Sequence, residues 1–168
     1  MSNQMMIGKI TQGSINDHKI AEVNDYLIYP APLRYTRAMA DSIFMKIIKG
    51  EIPCHKIYED DKTFAFLDIH PKTPGHTLVV PKKQVEFVWD LADEDYQALM
   101  VTVKKVALRL RDVLGGPYIG ELVVGIDVPH AHIHVYSFVT AEESRYVPDQ
   151  AAEPDHDVLA SVAQKLAF

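Results

Sequence analysis

Three histidines at alternate positions, in His130-Ala131-His132-Ile133-His134-Val135-Tyr136, are the residues whose types and spacing could do chemistry. On an extended strand, successive side chains face opposite ways, so the three imidazoles point to one side about 7 Å apart, and Ala131, Ile133 and Val135 point to the other. An imidazole is poorly favoured both in a dry core and on a plain strand surface. Three on one face, backed by an apolar face, therefore read as a reactive surface on a packed support. Near neutral pH such rings can donate or accept a proton, or ligate a metal.

The chain that must position them has 168 residues, 48% hydrophobic and 24% charged, which suits one globular domain with a substantial core. A net charge of -6 and a pI near 5.7 argue against a broad basic face for nucleic acid or an anionic membrane. Any anionic substrate must be captured locally. Cys54 is the single cysteine, so no intrachain disulfide can form, and the chain fits a reducing compartment. No apolar run has membrane-spanning length and no signal-peptide pattern opens the chain, which predicts a cytoplasmic protein.

Residues 1–40 lack a clear period and read as an N-terminal extension. Within it, Tyr26-Leu27-Ile28-Tyr29 could add an edge strand, and Met39-Ala40-Asp41-Ser42 resembles a second start of translation. From residue 41 the pattern becomes orderly. Asp41 or Ser42 can cap a short helix over 43–49, stopped by Gly50 and Pro53. Strands are predicted over 56–59, 63–69 and 76–81, with a turn at 60–62 and breakers Pro71, Pro74 and Gly75. Apolar residues recur every three or four positions from 92 to 114, which predicts a long amphipathic helix ended by Gly115-Gly116-Pro117. A fourth strand at 118–124, the histidine strand, and a tail helix at 157–165 complete the reading. The fold class expected is α+β: a five-stranded antiparallel sheet with a long amphipathic helix and a short N-terminal helix. The domain spans 41–140 and the tail 141–168.

In order along the chain, Ile43 to Pro53, Ala65-Phe66-Leu67-Asp68-Ile69-His70-Pro71, Pro74-Gly75-His76-Thr77-Leu78-Val79-Val80-Pro81-Lys82 and the histidine row resemble the histidine triad (HIT) family, in particular its Hint-like nucleotidyl hydrolases and transferases. The resemblance implies a cofactor-free enzyme acting on a purine nucleotide, paired as a homodimer. It makes His132 the nucleophile: a neutral imidazole nitrogen attacks the α-phosphorus of a phosphoramidate or dinucleoside polyphosphate, giving a nucleotidyl-histidine that water cleaves. The other ring nitrogen should then be held by a backbone carbonyl. His130, His134 and His76 would surround the phosphate as donors, any of them the general acid. Asp68 would accept from the ribose hydroxyls, and Phe44, Ile47, Ile52, Phe66 and Ile69 would form the base pocket, although core packing explains these apolar residues as well. Lys82 and Lys83 read as surface charges, and His55 and His70 as loop residues.

Two departures from the family pattern stand out. Some members bind a structural zinc at positions corresponding here to Ser42, Met45, Gln84 and His130. One such ligand of four cannot close a tetrahedral site, so no structural metal is expected. The turn before the triad carries Asp127 where the family has serine or threonine, placing a carboxylate beside the phosphate site and affecting substrate preference. Two other readings use the same residues: a metal-dependent hydrolase ligated by the histidines, and a dimeric nucleotide- or partner-binding module without turnover.

Overall fold

Residues 63–67 of the sheet show how the site is carried. Thr63, Ala65 and Leu67 must face one way and Phe64 and Phe66 the other, yet all five are buried, so both faces of the sheet are covered. The computed structural model describes residues 40–168 and resolves this as helices on both sides. In chain order it contains α1 (Ile43–Ile48), β1 (Lys56–Glu59), β2 (Thr63–Leu67), β3 (Thr77–Pro81), α2 (Asp93–Leu114), β4 (Tyr118–Leu122), β5 (Ile133–Phe138), α3 (Ala141–Arg145) and α4 (His156–Leu166). The sheet is antiparallel throughout, with strand order β1-β2-β3-β5-β4. The α+β class and five-stranded antiparallel sheet predicted from sequence are therefore present. The possible strand at 26–29 lies outside the described residues.

The larger core lies between the sheet and α2. Leu99, Val103, Val106 and Leu110, spaced to share one helical face, pack on Ala65, Leu67, Val79, Ile133 and Val135. Each such side chain contributes about 1.5–3 kcal/mol by leaving water. Gly115 ends α2 in the left-handed conformation, φ 73°, where its N–H reaches the Arg111 carbonyl. The tail belongs to the same layer: Leu159, Ala163 and Leu166 of α4 join this core, and Arg109 of α2 donates to the Leu166 carbonyl at 3.1 Å.

The opposite face holds a smaller cluster of Phe44, Phe64, Phe66, Leu78 and Val80, with Ile47 and Ile48 of α1 against it. This is the face on which the histidines emerge. Two local details differ from the sequence reading, the start of the last strand and a short helix after it. The last strand begins at Ile133, not His130, because His130 N–H turns back to the Val128 carbonyl at 2.8 Å and Ala131 N–H donates to Val85 at 2.7 Å. It inserts between β3 and β4, pairing Leu78 with His134 and Thr77 with Val135. A short helix, α3, follows it, started by a capping box in which Thr140 Oγ accepts from Glu143 N–H at 3.2 Å and the Glu143 carboxylate accepts from Thr140 N–H at 3.4 Å.

Candidate active site

The β3–β5 register puts His76, one residue ahead of β3, and His134 on the same face of neighbouring strands. His76 Nε2 and His134 Nδ1 are 3.0 Å apart. A turn positions His76: Gly75 has φ 82°, a conformation that favours glycine, and a Cβ there would lie 2.6 Å from Leu114 Cδ1, so a larger residue would also have to push that leucine aside. Lys72 N–H donates to His76 Nδ1 at 3.2 Å. The ring proton of His76 then sits on Nε2 and is donated to His134 Nδ1, leaving the proton of His134 on Nε2. Burial pushes His76 down to about 3 and His134 down to about 4, with the neighbouring imidazoles and the Lys72 charge adding to the effect. Both rings are neutral at pH 7.

His132 is buried, 6% exposed, and its Nδ1–H donates to the His130 carbonyl at 2.7 Å. That bond fixes the tautomer and leaves the lone pair on Nε2. Its ring lies edge-on to His134 at 5.1 Å and to Phe44 at 5.2 Å. Phe44 packs in turn on Phe66 at 5.5 Å, so α1 forms a wall beside the ring. Asp68, just beyond β2, is held by its backbone N–H to the His76 carbonyl at 2.9 Å. Its Oδ1 accepts from His70 N–H at 2.9 Å, and its Oδ2 lies 3.5 Å from His76 Nδ1 and 3.8 Å from His134 Nδ1. Burial raises its carboxyl above the usual range, and the His70 N–H opposes this.

His130 is placed differently from the expectation that it faces the phosphate. It is 0% exposed, and both ring nitrogens are taken: Nε2–H donates to the Pro81 carbonyl at 2.8 Å, and Nδ1 accepts from Ser42 Oγ–H at 2.9 Å. No ring N–H is left for a phosphate oxygen. Its link to His132 runs through its backbone carbonyl. Ser42 Oγ also accepts from Met45 N–H at 3.1 Å, capping α1, and Ser42 N–H donates to Gln84 Oε1 at 2.8 Å. One hydrogen-bonded chain thus ties the start of α1 to the backbone that orients His132.

The structure brings His132, His134, His76 and Asp68 together, with Phe44, Phe66 and Ile47 beside them. Ile52 is half-buried in the loop after α1, Ile69 is 46% exposed, and Asp127 is exposed and bears on His134 only as a negative charge. Sequence reasoning passed over Lys72. Its backbone reaches His76, its Nζ donates to the Tyr146 carbonyl at 2.7 Å, and its ammonium lies 5.4 Å from the centre of the Tyr136 ring. Only its place four residues before His76, in a turn, hinted at this.

Comparison with known proteins agrees with this geometry. The HIT domain family model matches residues 49–138. The protein named hit of Bacillus subtilis is 35% identical over 136 residues, covering 74% of this chain and 94% of the relative. Among solved structures, a HIT-like protein of Bartonella henselae described as involved in cell-cycle regulation superposes with a TM-score of 0.67 at 29% identity, covering 75% of this chain and 93% of its own. A zinc-bound histidine triad family protein of Mycobacterium smegmatis gives 0.60 at 26% identity, with coverages of 74% and 94%. The chain belongs to the HIT family, and that membership supports a nucleotide-binding, hydrolase-type role. Among the described residues, no helix is long and apolar enough to cross a membrane.

The four positions compared with a family zinc site do not suit that ion here. Ser42, Gln84 and His130 are joined to one another by the hydrogen bonds above, and Met45 offers only a thioether. With both nitrogens of His130 already engaged, a hydrogen-bonded network does the joining that a metal would do.

Proposed function

We propose that the protein is a nucleotidyl hydrolase or transferase in which His132 Nε2 attacks the α-phosphorus of a purine nucleotide derivative, a phosphoramidate or a dinucleoside polyphosphate. The observation that carries this reading is the His132 Nδ1–H bond to the His130 carbonyl, which leaves a lone pair on the other nitrogen without a base having to remove a proton. Attack forms an N–P bond and expels the leaving group. Water then cleaves that bond and the imidazole is regenerated. Asp68 accepts from the ribose hydroxyls, and Phe44, Ile47, Ile52, Phe66 and Ile69 flank the base.

His134 Nε2–H is the donor best supported for the phosphate or the leaving group, since the tautomer set by Lys72 and His76 leaves its proton there. Because burial keeps that ring neutral in the free protein, it acts first as a hydrogen-bond donor, and becomes an acid only where the substrate's negative charge raises it. His76 holds His134 in that tautomer. Two chains pair along β4, the strand at the edge of the sheet, whose Tyr118 and Leu122 are exposed. Cytoplasmic residence fits the single cysteine.

The test is His132→Asn, which keeps a polar side chain of similar size. Turnover should fall by at least 1,000-fold while the dissociation constant for the nucleotide changes less than about threefold, because the nucleophile is used in the transition state. Substantial turnover in that variant would reject the assignment.

A further inference from the structure

Two imidazoles outside the active site meet although they stand 101 positions apart in the sequence. His55 lies in the loop between α1 and β1, and His156 is the first residue of α4. His55 Nε2 and His156 Nδ1 are 3.1 Å apart, with the ring planes 31° from each other. Both backbones are anchored: the His55 carbonyl accepts from Leu67 N–H at 3.0 Å, and Asp155 Oδ1, capping α4, accepts from Val158 N–H at 3.0 Å. His156 is exposed and His55 half-buried, and neither His55 Nδ1 nor His156 Nε2 has a partner among the described residues. The rings are therefore joined by one neutral hydrogen bond in reach of water, which adds little to the stability of the fold.

We propose that His55 Nε2 and His156 Nδ1 together bind one late first-row divalent cation, of the nickel and zinc class, which clips the start of α4 to the loop ahead of β1. Ligand nitrogens about 2.0–2.1 Å from a tetrahedral ion stand about 3.3–3.4 Å from each other, so these two are already close to the ligating separation and the rings have only to turn their lone pairs toward one point. The proton now shared between them moves to the outer nitrogen of the ring that donates it, His55 Nδ1 or His156 Nε2, and no proton is lost overall. Burial and the neighbouring His156 push His55 below its ordinary value, which keeps that ring neutral and able to ligate at pH 7. Water fills the remaining positions. Cys54, next in sequence, packs with Phe64 and Phe66 on the other side of the sheet, and the described residues bring no third histidine, cysteine or carboxylate atom within 4.8 Å of both nitrogens. Imidazole and water suit a borderline cation better than magnesium or calcium, which favour oxygen ligands. The positive end of α4 opposes the ion, and the carboxylates of Asp155 and Asp157 on either side of His156 offset it. Val158, Leu159 and Val162 of the same helix line a small pocket with residues 71–75, the turn that leads to His76, so an ion at His156 holds the open end of that packing.

The experiment is calorimetric titration of the full chain with Ni2+ and with Zn2+, and with Mg2+ as the control, in the parent and in His55→Ala, His156→Ala and His156→Gln. Metal-free thermal melts show that each variant is folded. Because the histidine row can also take up metal, the site is read as the difference between parent and variants, and hydrogen exchange along α4 locates the ion. The parent should bind one Ni2+ or Zn2+ per chain that each of the three substitutions weakens by about tenfold or more, and no corresponding Mg2+. Ni2+ should slow amide exchange in the first turns of α4 by about threefold or more in the parent and leave it unchanged in the variants. Equal stoichiometry and affinity in parent and variants, or a loss when only one of the two histidines is replaced, overturns the shared site. An ion lost from all three variants without any effect on α4 exchange supports the ligands and overturns the clip.

Discussion

Replacing Ser42 by alanine removes a single hydroxyl, yet it should be among the more costly small changes in the domain. Ser42 is 6% exposed and its Oγ has two partners: it accepts from Met45 N–H at 3.1 Å and donates to His130 Nδ1 at 2.9 Å. Loss of the helix cap costs about 1 kcal/mol. Loss of the only donor to a nitrogen on a fully buried ring costs about 1–3 kcal/mol more, since no water reaches it. The sum, about 2–4 kcal/mol, is a large share of the 5–15 kcal/mol that typically holds a domain together. Because His130 also presents the carbonyl that holds His132, the substitution should lower kcat as well, by about tenfold for each 1.4 kcal/mol of lost orientation. Urea denaturation at constant m-value measures the first effect, and steady-state kinetics the second. Ser42→Thr keeps the hydroxyl and should recover most of both. A Ser42→Ala protein within about 0.5 kcal/mol of the parent would refute the claim that this network joins α1 to the histidines.

Two further predictions concern acid stability and assembly. An unfolded histidine takes up its proton near its ordinary value of 6.5, while folded His134 and His76 hold out to about 4 and about 3. As the pH falls below about 6.5 the unfolded chain therefore binds more protons and stability drops, by about 1–3 kcal/mol per pH unit down to about 4. Asp68, raised by burial, works the other way at the acid end by taking up its proton earlier in the folded state. Urea midpoints that stay level between pH 7.5 and 5 would contradict the buried neutral rings. In sedimentation at micromolar concentration the protein should run at twice the chain mass of 18.9 kDa, and a single species of one chain mass would refute pairing along β4.

Much of the fold could be read from period alone, because each covered face leaves its own spacing. The three-and-four repeat over α2 and the β-branched and aromatic runs between turn residues over β1 to β3 needed no tertiary information. What failed depended on partners distant in sequence. Alternation gave the parity of His132 and His134, but not where β5 begins, which is set by Val85 accepting from Ala131 N–H. The same distance hid the role of His130: a ring partnered by Ser42 and Pro81, 88 and 49 residues away, looks in sequence like one of three equal imidazoles. Lys72 was missed because its contacts with His76, Tyr136 and Tyr146 depend on a turn and on the path of the chain after β5. α3 was missed as well, although Thr140 before it and Glu143 within its first turn stand at capping-box spacing.

The central claim, a phosphorus bond formed at one ring nitrogen, is tested most directly by mass spectrometry of protein quenched in acid-free denaturant milliseconds after mixing with an adenosine phosphoramidate. The account predicts a nucleotidyl adduct on His132 that appears before product is released and is absent from His132→Asn. Turnover without any adduct, or an adduct on His130, His134 or His76 in its place, would contradict it.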